Sequence, residues 1–235
     1  MILIDKIKND LKEFSDQKKK GFLPRFFQAF PGGYAEGDQF IGVTVPNQRM
    51  IAKKYFQDIS LEETASLLRE PIHEYRLTAL FLLVYKFEKQ KSEREAIVKL
   101  YLSHTDYVNN WDLVDSSAEK ILGAYLFDQD KKILYDFAAS KDLWQNRIAM
   151  IASFYFIKKK KFADALKIAE ILILHPHDLI HKAVGWMLRE IGKRDLETEI
   201  EFLKKHYRTM PRTMLRYAIE KFEEPLRQDF LKGLI

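Results

Sequence analysis

An all-α fold is what this sequence of 235 residues predicts, and three observations carry the prediction. Helix breakers crowd the N-terminal 46 positions, which hold Gly21, Gly32, Gly33, Gly37 and Gly42 with Pro24, Pro31 and Pro46. From Val43 to Lys232 the only glycines are Gly123, Gly185 and Gly192, and this stretch is rich in Leu, Ile, Lys, Glu and Ala, the residues that lose little on entering a helix. Finally, a charged residue near the start of an apolar segment recurs at Arg76, Asp115, Arg147, Lys182 and Arg216, in steps of 39, 32, 35 and 34 residues. A period near 35 in a helical chain marks stacked helix pairs. The expected architecture is therefore a right-handed curved solenoid of HEAT-like antiparallel helix pairs. It forms a single domain over 1–235, with N-terminal helices and a glycine-rich loop over about 1–46 and the repeat stack over about 47–235.

The elements follow from periodicity and caps. Ile4, Ile7, Leu11 and Phe14 share one face of a first helix over 3–17. A short aromatic helix over 25–30 precedes the loop Pro31–Asp38. Phe40–Val45 is β-rich but isolated, and a lone strand has no partner, so it reads as an extended connector. Pro46 suits a helix start, leading into 47–58. Ser60 and Glu63 have the spacing of a capping box. Pro71 opens a long helix through Phe87, and Ser92 is placed to cap 93–102. Further helices are expected over 111–127, 129–139, 142–158, 161–174, 178–192, 195–206, 212–222 and 225–233, joined by short polar connections that favour antiparallel neighbours.

Composition narrows the function. Hydrophobic residues make up 47% and charged residues 31%, which excludes global disorder. There is no cysteine, so disulfides, zinc–thiolate sites, iron–sulfur clusters and thiol nucleophiles are excluded. No apolar run approaches a membrane span, and the opening Met1–Ile4 is followed at once by Asp5, Lys6 and Lys8, unlike a signal peptide. The reading is a cytoplasmic protein away from membranes. A net charge of +5 permits contact with nucleic acid without requiring it.

The recurring charges have two readings. In one they line the concave side of the stack as a basic face, Arg76, Arg147, Lys182 and Arg216 in one stripe with Asp115 among them. In the other they cap or solvate unrelated helices. All three tryptophans fall in the same series: Trp111 four residues before Asp115, Trp144 before Arg147, and Trp186 four residues after Lys182. Residues four apart share a helix face, so an indole lies beside a carboxylate at Trp111/Asp115 and beside an ammonium at Lys182/Trp186. Such pairs suit a cationic, aromatic ligand, although tryptophans in helical proteins also serve simply as core. Asp112 points away from that face, as a first-turn acid. His175, His177 and His181 lack a metal-binding pattern and read as a loop at a helix start. Lys158–Lys161 reads as a solvated turn between helices. The loop at Gly32–Gly37 matches no phosphate-binding fingerprint, and nothing calls for a cofactor or a metal.

The segments Gly37–Val43 with Pro46 and Arg49, Trp111–Asp115, Trp144–Arg147 and Lys182–Glu190 together resemble the AlkD-type DNA alkylation repair glycosylases. The resemblance runs from about Lys20 to the C-terminus in the same order. It implies an all-α stack of HEAT-like repeats wrapping double-stranded DNA, which excises positively charged N3- and N7-alkylpurines by hydrolysing the N-glycosidic bond without base flipping. It implies Asp115 as the catalytic carboxylate, Trp111 and Trp186 as cleft aromatics, and Arg147 as a phosphate contact. Lys182, Arg76 and Arg216 join the phosphate-contacting set through their place in the series. Tyr34 falls in the family's N-terminal tyrosine region. A monomer acting in base excision repair without cofactor or obligate protein partner is the expectation. The alternatives are a helical-repeat protein that binds damaged or branched DNA without chemistry, or a protein–protein scaffold.

Overall fold

The computed structural model describes residues 3–235; Met1 and Ile2 of the apolar opening lie outside the described residues. Every regular element among the described residues is helical, and one isolated bridge joins Gln39 to Ile72. The all-α expectation holds. The chain divides into two compact units, the first ending at Ser117 and the second running Ala118–Ile235.

In the first unit α1 spans Leu3–Glu13 and α2 spans Gln17–Phe26. This corrects the single helix expected over 3–17 and the aromatic helix expected over 25–30. The Asp16 carboxylate accepts the amides of Lys18 and Lys19, so a new helix starts there. Phe14, expected on the buried face, is exposed, while Ile7 and Leu11 are buried. The connector after the glycine-rich loop is irregular and forms no strand. Its amides at Ile41 and Gly42 donate to the buried Glu74 carboxylate at 3.1 and 2.8 Å. Gly42 has φ +84°, and a Cβ there would stand 2.1 Å from the Asp16 carbonyl oxygen, so no other residue fits.

Then follow α3 (Val45–Tyr55), with Pro46 in its first turn, and α4 (Leu61–Leu68), with the Ser60/Glu63 capping box formed. Next come α5 (His73–Lys89), α6 (Arg94–Ser103) and α7 (Trp111–Ser117). A 3₁₀ turn over Lys91–Glu93 replaces the expected Ser92 cap of α6. Helix α5 is buried on nearly every side, with α3, α4, α6 and α7 packed on it. Fully burying a Leu or Phe side chain contributes about 1.5–3 kcal/mol. Leu77, Leu80, Phe81, Leu82 and Leu83 make α5 the centre of this unit's core.

In the second unit a π-helical turn over Glu119–Gly123 leads into α8 (Ala124–Leu126), so the helix expected over 111–127 is not regular. After α9 (Lys132–Ala138), the helix expected over 142–158 divides at Ser153 into α10 (Leu143–Ala152) and α11 (Phe154–Lys158). There follow α12 (Ala163–Ile171), α13 (Asp178–Gly192), α14 (Leu196–His206), α15 (Arg212–Ala218) and α16 (Glu224–Lys232). The helices carrying the periodic charges are packing neighbours in order within each unit: α5 on α7, then α10 on α13 and α13 on α15. Glycine sets one of these approaches. A Cβ on Gly185 would lie 2.4 Å from the Met214 carbonyl oxygen and 2.5 Å from Tyr217 Cβ, so α13 and α15 touch almost backbone to backbone.

Candidate functional site

In the first unit the site is built on α7. Asn110, fully buried, starts the helix: its Oδ1 accepts the Trp111 amide at 2.8 Å and its carbonyl accepts the Val114 amide at 3.1 Å. Trp111 and Asp115 are both half-buried, one turn apart on one face, as the spacing requires. The Trp111 ring packs against Phe27 at 5.5 Å and meets Phe26 nearly edge-on at 5.9 Å. Tyr101, fully buried, lies close enough to Asp115 to feel its charge. Burial pushes the Tyr101 phenol well above its ordinary range; the Ser117 hydroxyl opposes that shift and the Asp115 carboxylate adds to it.

The opposite side of α7 is pinned by a buried quartet of charges. Asp112 Oδ2 lies 2.8 Å from His73 Nε2, and His73 Nδ1 lies 3.0 Å from Asp38 Oδ2. Asp38 Oδ2 also meets Arg76 Nη2 at 2.6 Å. With a carboxylate at each ring nitrogen, His73 donates from both, which requires the imidazolium. Burial alone would lower the His73 pKa, but Asp112 and then Asp38 outweigh it and raise it to about 9. Asp38 is likewise penalised by burial, yet His73 and Arg76 hold its carboxyl below the usual range. Phe27 and Phe40 stack on the imidazolium at 4.7 and 5.1 Å, and Phe27 also touches Trp111. The quartet thus ties the glycine-rich loop, the start of α5 and the first turn of α7 together, and so orients Trp111 and Asp115.

In the second unit Lys182 and Trp186 lie one turn apart on α13, both half-buried. Trp186 rests on Phe154 of α11 at 5.7 Å, with the Lys158 ammonium 4.4 Å over that ring. Lys182 Nζ meets Asp178 Oδ2 at 2.7 Å, and that contact holds the Asp178 carboxyl below its ordinary range. His177 caps α13, its Nδ1 accepting the Leu179 amide at 3.1 Å, as a loop at a helix start should. Trp144 is buried as core.

The basic residues separate by burial. Arg216 is exposed. Arg76 is not available to a phosphate: it is 4% exposed, and its guanidinium serves Asp38 and the carbonyls of Glu70 and Pro71. The expectation that it lies on a basic face is therefore corrected, because its charge neutralises the buried carboxylates. Arg147 is 5% exposed, and its Nη1 donates to the Leu179 carbonyl at 2.6 Å, joining α10 to the first turn of α13. Tyr34 is half-buried in the turn between Gly32 and Gly37, both at positive φ.

Sequence reasoning missed His73, Asp38 and Asn110. The available signal was the charged opening of α5, where His73, Glu74 and Arg76 stand at the head of an otherwise apolar helix. Buried charges there demand partners. Phe26 and Phe27 were missed because their helix was misplaced. Among the described residues no cluster of three or more His, Asp or Glu side chains could hold a metal ion.

A family model of DNA alkylation repair enzymes matches residues 7–222. Among solved structures, a predicted DNA alkylation repair enzyme from Enterococcus faecalis is similar with a TM-score of 0.71. It is 16% identical, over 89% of this chain and 97% of that one. AlkD2 from Streptococcus mutans is similar with a TM-score of 0.56 at 15% identity, over 88% of this chain and 98% of that one. At these identities the likeness to the solved structures is one of fold. No curated protein matches the chain.

Proposed function

Since this chain belongs to the DNA alkylation repair enzyme family, we propose that it is a monofunctional DNA glycosylase that releases N3- and N7-alkylpurines from duplex DNA. The observation that carries the reading is the half-buried Trp111/Asp115 pair on one face of α7, its backbone fixed from behind by the Asp112–His73–Asp38 network.

Alkylation at N3 or N7 leaves a full positive charge on the purine. When the C1′–N bond breaks, its electron pair passes to the purine nitrogen and neutralises that charge, so the leaving group needs little acid assistance. The cation now rests on the sugar. Asp115 is assigned to stabilise that oxocarbenium electrostatically and to orient the water that adds to C1′, accepting its proton. The products are a neutral free base and an abasic site. Trp111 is assigned to hold the sugar beside Asp115 through its ring face, and Trp186, in the second unit, is assigned to the DNA backbone. Lys182 and Arg216 are assigned to flanking phosphates, which fix position without reading sequence. Arg147, largely enclosed, acts on phosphate through its charge and by setting the start of α13. The reaction uses no cofactor. The protein works as a monomer in the cytoplasm, within base excision repair.

The test is chromatographic detection of free 7-methylguanine or 3-methyladenine after incubation with methylated duplex DNA. Release is expected. Tight duplex binding with no release would favour a non-enzymatic reader of damaged DNA, and absence of both would favour a protein–protein scaffold.

A further inference from the structure

The lysines that follow α11 border a cavity to which the repair chemistry gives no role. It is half-open, about 430 Å³, and lies wholly within the second unit, where the turn from α8 to α9 meets the turn from α11 to α12. Small-molecule sites have volumes of about 300–1,000 Å³. The floor is Phe156, fully buried, whose ring centroid lies 6.0 Å from that of Phe127. Phe127 and Phe162 are half-buried and add ring surface to the walls. Lys131 holds its ammonium 5.6 Å over the Phe156 ring, and Lys160 and Lys161 stand exposed at the rim. Of the two carboxylates there, Asp164 is held by the Tyr135 hydroxyl, and Asp128 is exposed. Lys160 occupies a strained place. The amides of Lys160 and Lys161 donate to the Ile157 and Phe156 carbonyls at 3.0 and 2.9 Å, closing α11 with Lys160 at φ 56°. Glycine is the usual residue at that left-handed position. A lysine makes this cap less favourable, while it places a positive charge at the cavity.

We propose that this cavity binds a free nucleoside diphosphate, a site independent of the repair reading. Ammonium groups are point charges that suit phosphate, and no arginine fork for a planar carboxylate lines the cavity. Phenyl faces stack on any base, since every base has a π-face. Asp128, which repels a bare anion, accepts hydrogen bonds from ribose hydroxyls. A nucleotide meets all three features, whereas inorganic phosphate meets only the first. The cavity also stands apart from Lys182. Arg147 donates to the Leu179 carbonyl at the start of α13. Lys160 instead lies near Asp195, beyond the end of α13, where it joins the Thr198 amide in holding that carboxyl below its ordinary range. A single free nucleotide is therefore the occupant, not a strand that follows Lys182.

The experiment is titration calorimetry of the full chain, without DNA, against ADP, adenosine and pyrophosphate. Phenyl faces do not read base edges, so ADP stands for its class. ADP should bind one-to-one and at least tenfold more tightly than adenosine or pyrophosphate. K160G relieves the left-handed backbone, so its thermal midpoint should equal or exceed that of wild type, yet ADP affinity should fall by about tenfold with the lost charge-assisted contact. F162A should weaken ADP by about tenfold through lost stacking and leave pyrophosphate affinity unchanged. Absence of saturable ADP binding to wild type overturns the proposal. Unchanged ADP affinity in K160G, with its folding intact, places the ligand elsewhere and overturns it too. Pyrophosphate binding as tightly as ADP would reduce the cavity to an anion site. Displacement of ADP by a ten-nucleotide single strand would make nucleic acid the occupant. Either result also overturns the assignment, and neither bears on methylated-purine release.

Discussion

His73 stays protonated in the fold well beyond the pH at which an exposed histidine gives up its proton, and stability inherits that difference. An unfolded histidine titrates near 6.5, whereas His73 titrates near 9. Below about pH 6.5 both states are protonated and the quartet's stabilisation is fully present. As pH rises toward 9 the unfolded chain releases a proton that the folded chain keeps, and stability is lost by about 1.4 kcal/mol per unit, up to about 3 kcal/mol in all. Glu199 acts in the same direction for a different reason. Burial, only partly offset by Arg189, raises its carboxyl to about 9, so the folded chain holds a proton that the unfolded chain releases above about 4.5. Denaturation midpoints of His73→Gln should therefore fall less steeply than wild type between pH 6.5 and 9. Glu199→Gln should be more stable than wild type by roughly 1–3 kcal/mol at pH 8, with the two effects additive across separate units. Parallel wild-type and His73→Gln pH curves would show that the imidazolium contributes nothing to this pH dependence. At the site, Asp115→Asn should lower single-turnover excision by about 10²-fold or more, as removal of one electrostatic stabiliser does. Its duplex affinity should hold or rise, because a negative charge has left the surface proposed to meet DNA; near-wild-type excision would exclude Asp115 as the catalytic carboxylate.

At the scale of elements, the close approach of α13 to α15 depends on Gly185, and Trp186 is its next residue. Gly185→Ala places a methyl within contact distance of the Met214 carbonyl and the Tyr217 side chain, neither of which can yield without moving α15. A cost of roughly 1–3 kcal/mol is expected from urea unfolding, together with slower excision as Trp186 shifts. Wild-type stability would mean the helices have room to separate. The sequence marked this position only as one of three glycines between Val43 and Lys232, because periodicity locates a helix face without showing how close its neighbour comes. The same distinction explains where element boundaries were legible. The Ser60/Glu63 box and Pro46 are local signals and were read correctly. The division at Asp16 was hidden by Ile4, Ile7 and Leu11, whose pattern runs smoothly toward Phe14 and ignores a single capping carboxylate. The π turn at Glu119–Gly123 and the break at Ser153 meet in space, where a Cβ on Gly123 would lie 2.2 Å from the Ala152 carbonyl. That constraint is tertiary and has no local signature.

For the molecule as a whole, the all-α class was legible because scarcity of breakers is a global property of the chain. The site was legible only in part. Trp111 and Asp115 announce themselves by spacing, but Arg76 and Arg216 look alike in sequence while one closes a buried network and the other faces water. Net charge cannot separate them either, since +5 counts both equally. What the proposed chemistry does fix at this scale is the substrate range. If the barrier is lowered by the lesion's own charge and by Asp115 facing the sugar, no protein group has to recognise the base edge. Activity should then follow the cationic character of the purine. Duplexes with 3-methyladenine or 7-methylguanine should be cleaved, and those with hypoxanthine or uracil, neutral and poor leaving groups, should not. A bulky cationic N7 adduct should be cleaved at a rate within about tenfold of 7-methylguanine, because a base left in the stack projects its substituent into the wide major groove. The measurement is the single-turnover rate on matched duplexes at one salt concentration. Rapid hypoxanthine release, or rejection of the bulky cation beside rapid 7-methylguanine release, would require a shaped pocket around an extruded base, and the mechanism built on Asp115 and lesion charge would give way to one built on base flipping.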